Sequence, residues 1–85
     1  MYKARILITL KPTVMDAQGQ TVERALGSLG YDSVRSLRIG KYVTLELDGA
    51  DADSARAQVE RMCDQLLANP IIEDYRVELE ESRAP

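Results

Sequence analysis

Two carboxylate pairs, Asp51/Asp53 and Glu73/Asp74, and one thiol, Cys63, are the residues whose types and spacing bear most directly on chemistry. Neighbouring carboxylates can divide acid and base work when their surroundings pull their pKa values apart. Helix capping accounts for the first pair equally well, and solvation for the second. Cys63 falls between Val59 and Leu66 at helical spacing, which suits a small buried hydrophobe better than a reactive thiol. The chain has no His, so the imidazole base, the His-activated nucleophile and the His-ligated metal are all absent. A single Cys leaves no internal disulfide and no thiolate zinc site. Gly40 and Gly49 stand singly, without the motif that cradles phosphate. As a self-sufficient enzyme the chain is under-equipped.

The elements that must position these residues are legible in order. Tyr2–Leu10 is aliphatic and β-branched, with Tyr2, Ala4, Ile6, Ile8 and Leu10 on one face and Lys3, Arg5, Leu7 and Thr9 on the other; Pro12 ends this strand. Asp16 is placed to cap a helix whose stripe is Val22, Ala25, Leu26 and Leu29, and Gly30 stands where a left-handed C-cap is wanted. Val34, Leu37 and Ile39 suggest a second strand. Val43, Leu45 and Leu47 alternate cleanly in a third, with Gly40-Lys41 as the tight turn or bulge between the two. Asp51 or Asp53 caps a second helix with a buried stripe of Ala55, Val59, Met62, Cys63, Leu66 and Leu67. Asn69-Pro70 stops it, Asn tolerating the left-handed turn and Pro unable to continue. A last strand carries Tyr75, Val77 and Leu79 opposite Arg76, Glu78 and Glu80.

This order, β-α-β-β-α-β, predicts an α+β ferredoxin-like two-layer sandwich: a four-stranded antiparallel sheet with two helices on one face. Residues 1–81 form a single domain, and residues 82–85 read as a frayed tail without an apolar anchor. The fold hosts many functions and licenses none alone. An RNA-recognition module of this shape needs stacking aromatics on its middle strands, and the strands here offer only Tyr2, Tyr42 and Tyr75. A metallochaperone needs paired cysteines.

The 85 residues suffice for one core, which is aliphatic because there is no Phe and no Trp. A chain of this size buries only about 60% of its unfolded surface, so a second copy or a larger partner is expected. Residues 1–42 hold seven Lys/Arg against three Asp/Glu, and residues 43–85 hold four against eleven. With a net charge of −3 the chain lacks a nucleic-acid footprint, and the split can instead pair the halves within the fold or across a dimer. No signal peptide or membrane-length apolar run is present, and the chain reads as a cytoplasmic protein with neither nucleic acid nor membrane as a partner.

Four stretches carry a more specific signal: Lys11–Gly19, Ala25–Gly30, Val34–Lys41 and Met62–Tyr75. Taken in order they resemble the PurS family, the small subunits of phosphoribosylformylglycinamidine (FGAM) synthase in purine biosynthesis. The resemblance runs from about residue 2 to residue 79. Its marks are the helix start after Lys11 with Asp16 and Gly19, the Arg38-Ile39-Gly40-Lys41 segment, and Leu66-Leu67-Ala68-Asn69-Pro70-Ile71-Ile72-Glu73. Ala17 departs from the pattern, standing where the family usually has Pro.

The resemblance implies a non-catalytic subunit of an ATP-dependent amidotransferase complex. In that system the glutaminase subunit PurQ releases ammonia, and the large synthetase subunit PurL uses ATP and Mg to build the amidine. The PurS chain forms homodimers or higher assemblies and bridges the two, with no cofactor of its own. Lys11, Asp16, Gly19, Gly40, Lys41, Asn69, Pro70 and Glu73 are the partner-binding residues this suggests. The outer sheet face, with Lys3, Arg5, Leu7, Thr9, Thr44, Glu46, Arg76 and Glu78, suits self-association. A small-molecule-sensing module of the same fold is the alternative.

Overall fold

The structure is a computed structural model that describes residues 1–81; the tail read at 82–85 lies outside the described residues. Its organising element is β1 (Tyr2–Leu10), where small and branched side chains alternate with longer polar ones. It is the central strand of an antiparallel sheet ordered β2-β1-β3, with β2 spanning Lys41–Leu47 and β3 spanning Glu73–Glu81. Ile6 pairs with Val43 on one side and Val77 on the other, so the period-2 pattern of all three strands points the same way.

Between the strands run α1 (Ala17–Ser28) and α2 (Ala52–Met62). Asp16 caps α1, and Gly30, at φ +99°, closes it in the left-handed region that favours glycine. Asp51 caps α2, its carboxylate accepting from the Ser54 N–H at 2.7 Å. α2 lies over β1 and β3, and the core sits between them: Ala4, Ile6 and Ile8 below, Ala55, Val59, Cys63 and Ala68 above. Cys63 is fully buried, and desolvation pushes its thiol pKa up.

Four expectations are corrected. The segment with Val34, Leu37 and Ile39 forms no strand, so the described sheet has three strands and Gly40-Lys41 is no hairpin turn. Its apolar residues do not alternate, and the Ile39 N–H is taken by the Asp16 carboxylate instead of a ladder partner. Second, α1 does not cover the sheet; Gly19 is its one buried residue, and Val22 and Leu29 are exposed. Third, Leu66 is outside the core at 83% exposure. The end of α2 widens into a π-helical turn, Cys63–Leu67, closed by the Ala68 N–H on the Cys63 carbonyl at 2.9 Å. The extra residue per turn shifts the phase of the stripe, so Leu67 turns inward and Leu66 outward. Asn69 also needs no left-handed turn: among the described residues no non-glycine has positive φ, and Ala68 leaves the helix extended.

Candidate partner-docking end of the sheet

The residues nominated from the sequence lie at one end of the sheet, where β1 finishes and β2 and β3 begin. The first cluster is built on the junction before α1. Asp16, 6% exposed, is the one buried charged residue among those described. One carboxylate oxygen accepts from the Gly19 N–H at 2.9 Å and the other from the Ile39 N–H at 2.6 Å. These two backbone donors, Ile39 foremost, hold its pKa below the ordinary carboxylate value. Gly19 leaves the room for this: a Cβ there would run into the Asp16 carboxylate and the Leu37 carbonyl oxygen.

Arg38 returns the contact. Its guanidinium donates to the carbonyl of Val14 at 2.7 Å and of Lys11 at 3.1 Å. Gly40 then brings the chain against β1, where a Cβ would lie 2.5 Å from the Ile8 carbonyl oxygen. Close backbone approach, rather than turn geometry, is what requires glycine at this position.

A second cluster forms at the start of β3. The Asn69 carbonyl accepts from the N–H groups of Ile72 and Glu73, and its side-chain oxygen accepts from the Ile71 N–H at 3.1 Å. Glu73 Oε1 accepts from the Asn69 N–H at 2.7 Å, closing the turn around exposed Pro70. Glu73 Oε2 faces the Lys41 ammonium at 3.5 Å, and Lys11 Nζ reaches Asp74 Oδ1 at 2.8 Å. Asp16, Gly40, Lys41 and Glu73 thereby line one open cavity of about 380 Å³ floored by Ile8 and Leu10. Lys11 stands apart from it, paired with Asp74, and Asn69 and Pro70 are not among its lining residues.

The basic first half of the chain thus meets the acidic second half inside one fold: Arg5–Glu80, Lys11–Asp74 and Lys41–Glu73 all join them. Sequence reasoning missed Arg38 as a strap, although it stands in the segment singled out. It also missed the exposed apolar side chains beside this end, Leu66 and Ile71, at 83% and 82% exposure. Ile71, in the Ile71-Ile72 pair after Pro70, carries no periodic signal, and Leu66 falls at the spacing of a helix stripe. On the outer face Leu7 is flanked by Tyr42 and Arg76, with Arg5 and Glu80 joined at 3.0 Å. Among the described residues no three His, Cys, Asp or Glu side chains gather as a metal site would require. Among the described residues no helix is long and apolar enough to cross a membrane.

The chain was compared with known proteins. The family model described as PurS, phosphoribosylformylglycinamidine (FGAM) synthase, matches residues 3–81. A Synechocystis phosphoribosylformylglycinamidine synthase subunit PurS is 49% identical over 92% of this chain and 78% of its own length. The Bacillus subtilis PurS structure superposes with a TM-score of 0.87 at 47% identity, covering 95% of this chain and all of that one. A chain in the Thermotoga maritima PurLQS structure gives a TM-score of 0.86 at 33% identity, covering 93% of this chain and 96% of that one.

Proposed function

The chain belongs to the PurS family of phosphoribosylformylglycinamidine synthase subunits, and from that premise we propose that it is the non-catalytic assembly subunit of this synthase. In this role it bridges a glutaminase and an ATP-dependent synthetase subunit in the cytoplasm, so that ammonia released from glutamine reaches formylglycinamide ribonucleotide. The PurLQS assembly named for the Thermotoga maritima relative supports these partners. ATP and Mg belong to the synthetase subunit, and no cofactor is assigned to this chain.

The observation that carries the reading is the chain's shape. Its radius of gyration is 16.5 Å, with extents of 50 × 31 × 15 Å; a compact chain of 85 residues would have about 12 Å. It exposes 6222 Å², against about 5,000 Å² for a compact monomer of this mass. The surplus, about 1,200 Å², exceeds the roughly 800 Å² that one partner contributes to a standard interface. The surplus lies on α1, whose stripe is uncovered, on the half-buried inner face of β2, and on the outer sheet face. A second copy accounts for part of it, giving a homodimer or larger assembly. The end carrying Lys11, Lys41 and the Asn69–Glu73 turn is left for the larger subunits.

The test is glutamine-dependent amidine synthesis by the purified large and glutaminase subunits, with and without this chain, beside an ammonia-dependent control. Glutamine use that requires the chain while ammonia use does not supports the bridging role. Two rates that both ignore it overturn the role.

A further inference from the structure

α1 is tied to the rest of the molecule in an unusual way. A helix ordinarily takes its direction from an apolar face packed on a neighbour, yet only Gly19 of α1 is buried and Val22 and Leu29 face solvent. The direction must come from the chain segments at its root. There the loop before α1 and the segment before β2 hold each other twice, each contributing one side chain that bonds the other's backbone. Asp16 of the first accepts from the Ile39 N–H of the second at 2.6 Å. Arg38 of the second donates to the Lys11 and Val14 carbonyls of the first, at 3.1 and 2.7 Å. Gly40, close against the Ile8 carbonyl, anchors that second segment to the central strand.

We propose that this reciprocal clasp sets the angle at which α1 leaves the sheet, making Asp16 and Arg38 positioning residues for assembly. The proposal takes from the preceding section only that the placement of α1 matters to the complex. An Asp that did no more than cap α1 would need one of its oxygens; here the second oxygen is committed to a residue 23 positions away. Asp51 provides the internal contrast, because its carboxylate serves the start of its own helix.

The substitution Asp16→Asn separates the two duties. Asn is as good an N-cap as Asp, but it has one acceptor oxygen, so either the Gly19 or the Ile39 N–H must face an amide donor. Arg38→Met removes the opposite strap, keeps an apolar stem and alters an exposed residue, so it reports even where Asp16→Asn folds poorly. Both are made in the full chain, with Asp51→Asn as control. Two readouts serve: amide exchange, and the distance between spin labels on Ala25→Cys and Thr44→Cys, with labelled chains diluted into unlabelled ones.

The expected result for Asp16→Asn is exchange at least about tenfold faster at Ile39 or Gly19, with the β1 amides unchanged. Both variants broaden the label distance, Asp51→Asn does not, and the glutamine-dependent rate of the reconstituted complex falls while the ammonia-dependent rate holds. An unchanged distance in both clasp variants overturns the clasp. A broadened distance with an unchanged glutamine-dependent rate overturns the positioning role. Failure of the proposed function is separately visible as a wild-type chain that does not raise that rate, and the distances still decide the clasp.

Discussion

The Lys41 ammonium stands 3.5 Å from the Glu73 carboxylate, joining the two outer strands of the sheet across the end of the central one. The partners are unequally held. Glu73 is 13% exposed and also accepts from the Asn69 N–H, whereas the Lys41 side chain is 59% exposed. A flexible ammonium in that position can swing toward a carboxylate offered by another subunit, while the largely buried Glu73 carboxylate keeps its hydrogen bond from the Asn69 N–H.

Lys41→Ala is therefore expected to leave the fold intact, because the lysine end of the pair is solvated, its 3.5 Å separation is long, and Glu73 retains the Asn69 N–H. Its effect falls on assembly: the glutamine-dependent rate of the reconstituted complex drops while the melting temperature stays within a few degrees. An unchanged rate removes Lys41 from the docking surface.

Gly40→Ala acts on the fold instead. The new Cβ would sit 2.5 Å from the Ile8 carbonyl oxygen and 3.1 Å from Thr9 Cγ2, so β1 and the segment before β2 must separate. Overpacking of this type costs about 1–3 kcal/mol, read as a lowered denaturant midpoint. Stability equal to wild type would show that Gly40 owes its place to something other than close approach.

The differing legibility of these features has physical reasons. β1, β2 and β3 were readable because each has one buried and one wetter face, and period 2 is the direct imprint of that asymmetry. The caps at Asp16 and Asp51 were readable because they are local hydrogen bonds over three residues. Ile39 was misread because its N–H is satisfied by a side chain 23 positions back, a partner no local pattern records. Leu66 was misread because periodicity assumes a constant 3.6 residues per turn, and one π-helical turn breaks the count. The candidate docking residues Lys11, Asp16, Lys41 and Glu73 could be nominated by type and resemblance. Their division between a cavity wall and an outer pair with Asp74 depends on where the loop after β1 runs past the starts of β2 and β3, which no local pattern records.

Two aliphatic truncations test the corrected core. Ile6→Ala, at a fully buried position on the central strand, should cost about 2–5 kcal/mol. Leu66→Ala, at 83% exposure, should lie within about ±0.5 kcal/mol. Thermal or urea unfolding of the two variants separates them. A large loss for Leu66→Ala would mean that the α2 stripe continues past Cys63 without the π-helical turn.

Acid should weaken the fold through its two capping carboxylates. Asp16 and Asp51 are both held below the ordinary value, chiefly by the backbone N–H groups of Ile39 and Ser54 respectively. A depressed folded pKa means that the unfolded chain binds the proton more readily. Their contribution is therefore fully present above the unfolded value of about 4 and disappears as pH falls through the depressed folded values. The melting temperature should decline below about pH 4, and less steeply in Asp16→Asn. Parallel declines in variant and wild type would exclude Asp16 as a source of the acid sensitivity.

At the alkaline end Tyr75 is the group to watch. Desolvation between β3 and α2, with the hydroxyl donating to Asp64 Oδ1 at 3.0 Å, pushes its pKa up to about 12. The neutral phenol is favoured in the folded chain, so its contribution is fully present below the ordinary value of about 10 and is lost as pH rises through 12. The Tyr75 phenol should ionise late when phenolate absorbance is followed across the alkaline range. Tyr75→Phe should abolish that late step. It should also weaken the seam between β3 and the end of α2, where the hydroxyl joins the strand to the residue after Cys63. If all four tyrosines of the wild-type chain ionise together, the Tyr75 hydroxyl is not held against Asp64 in solution.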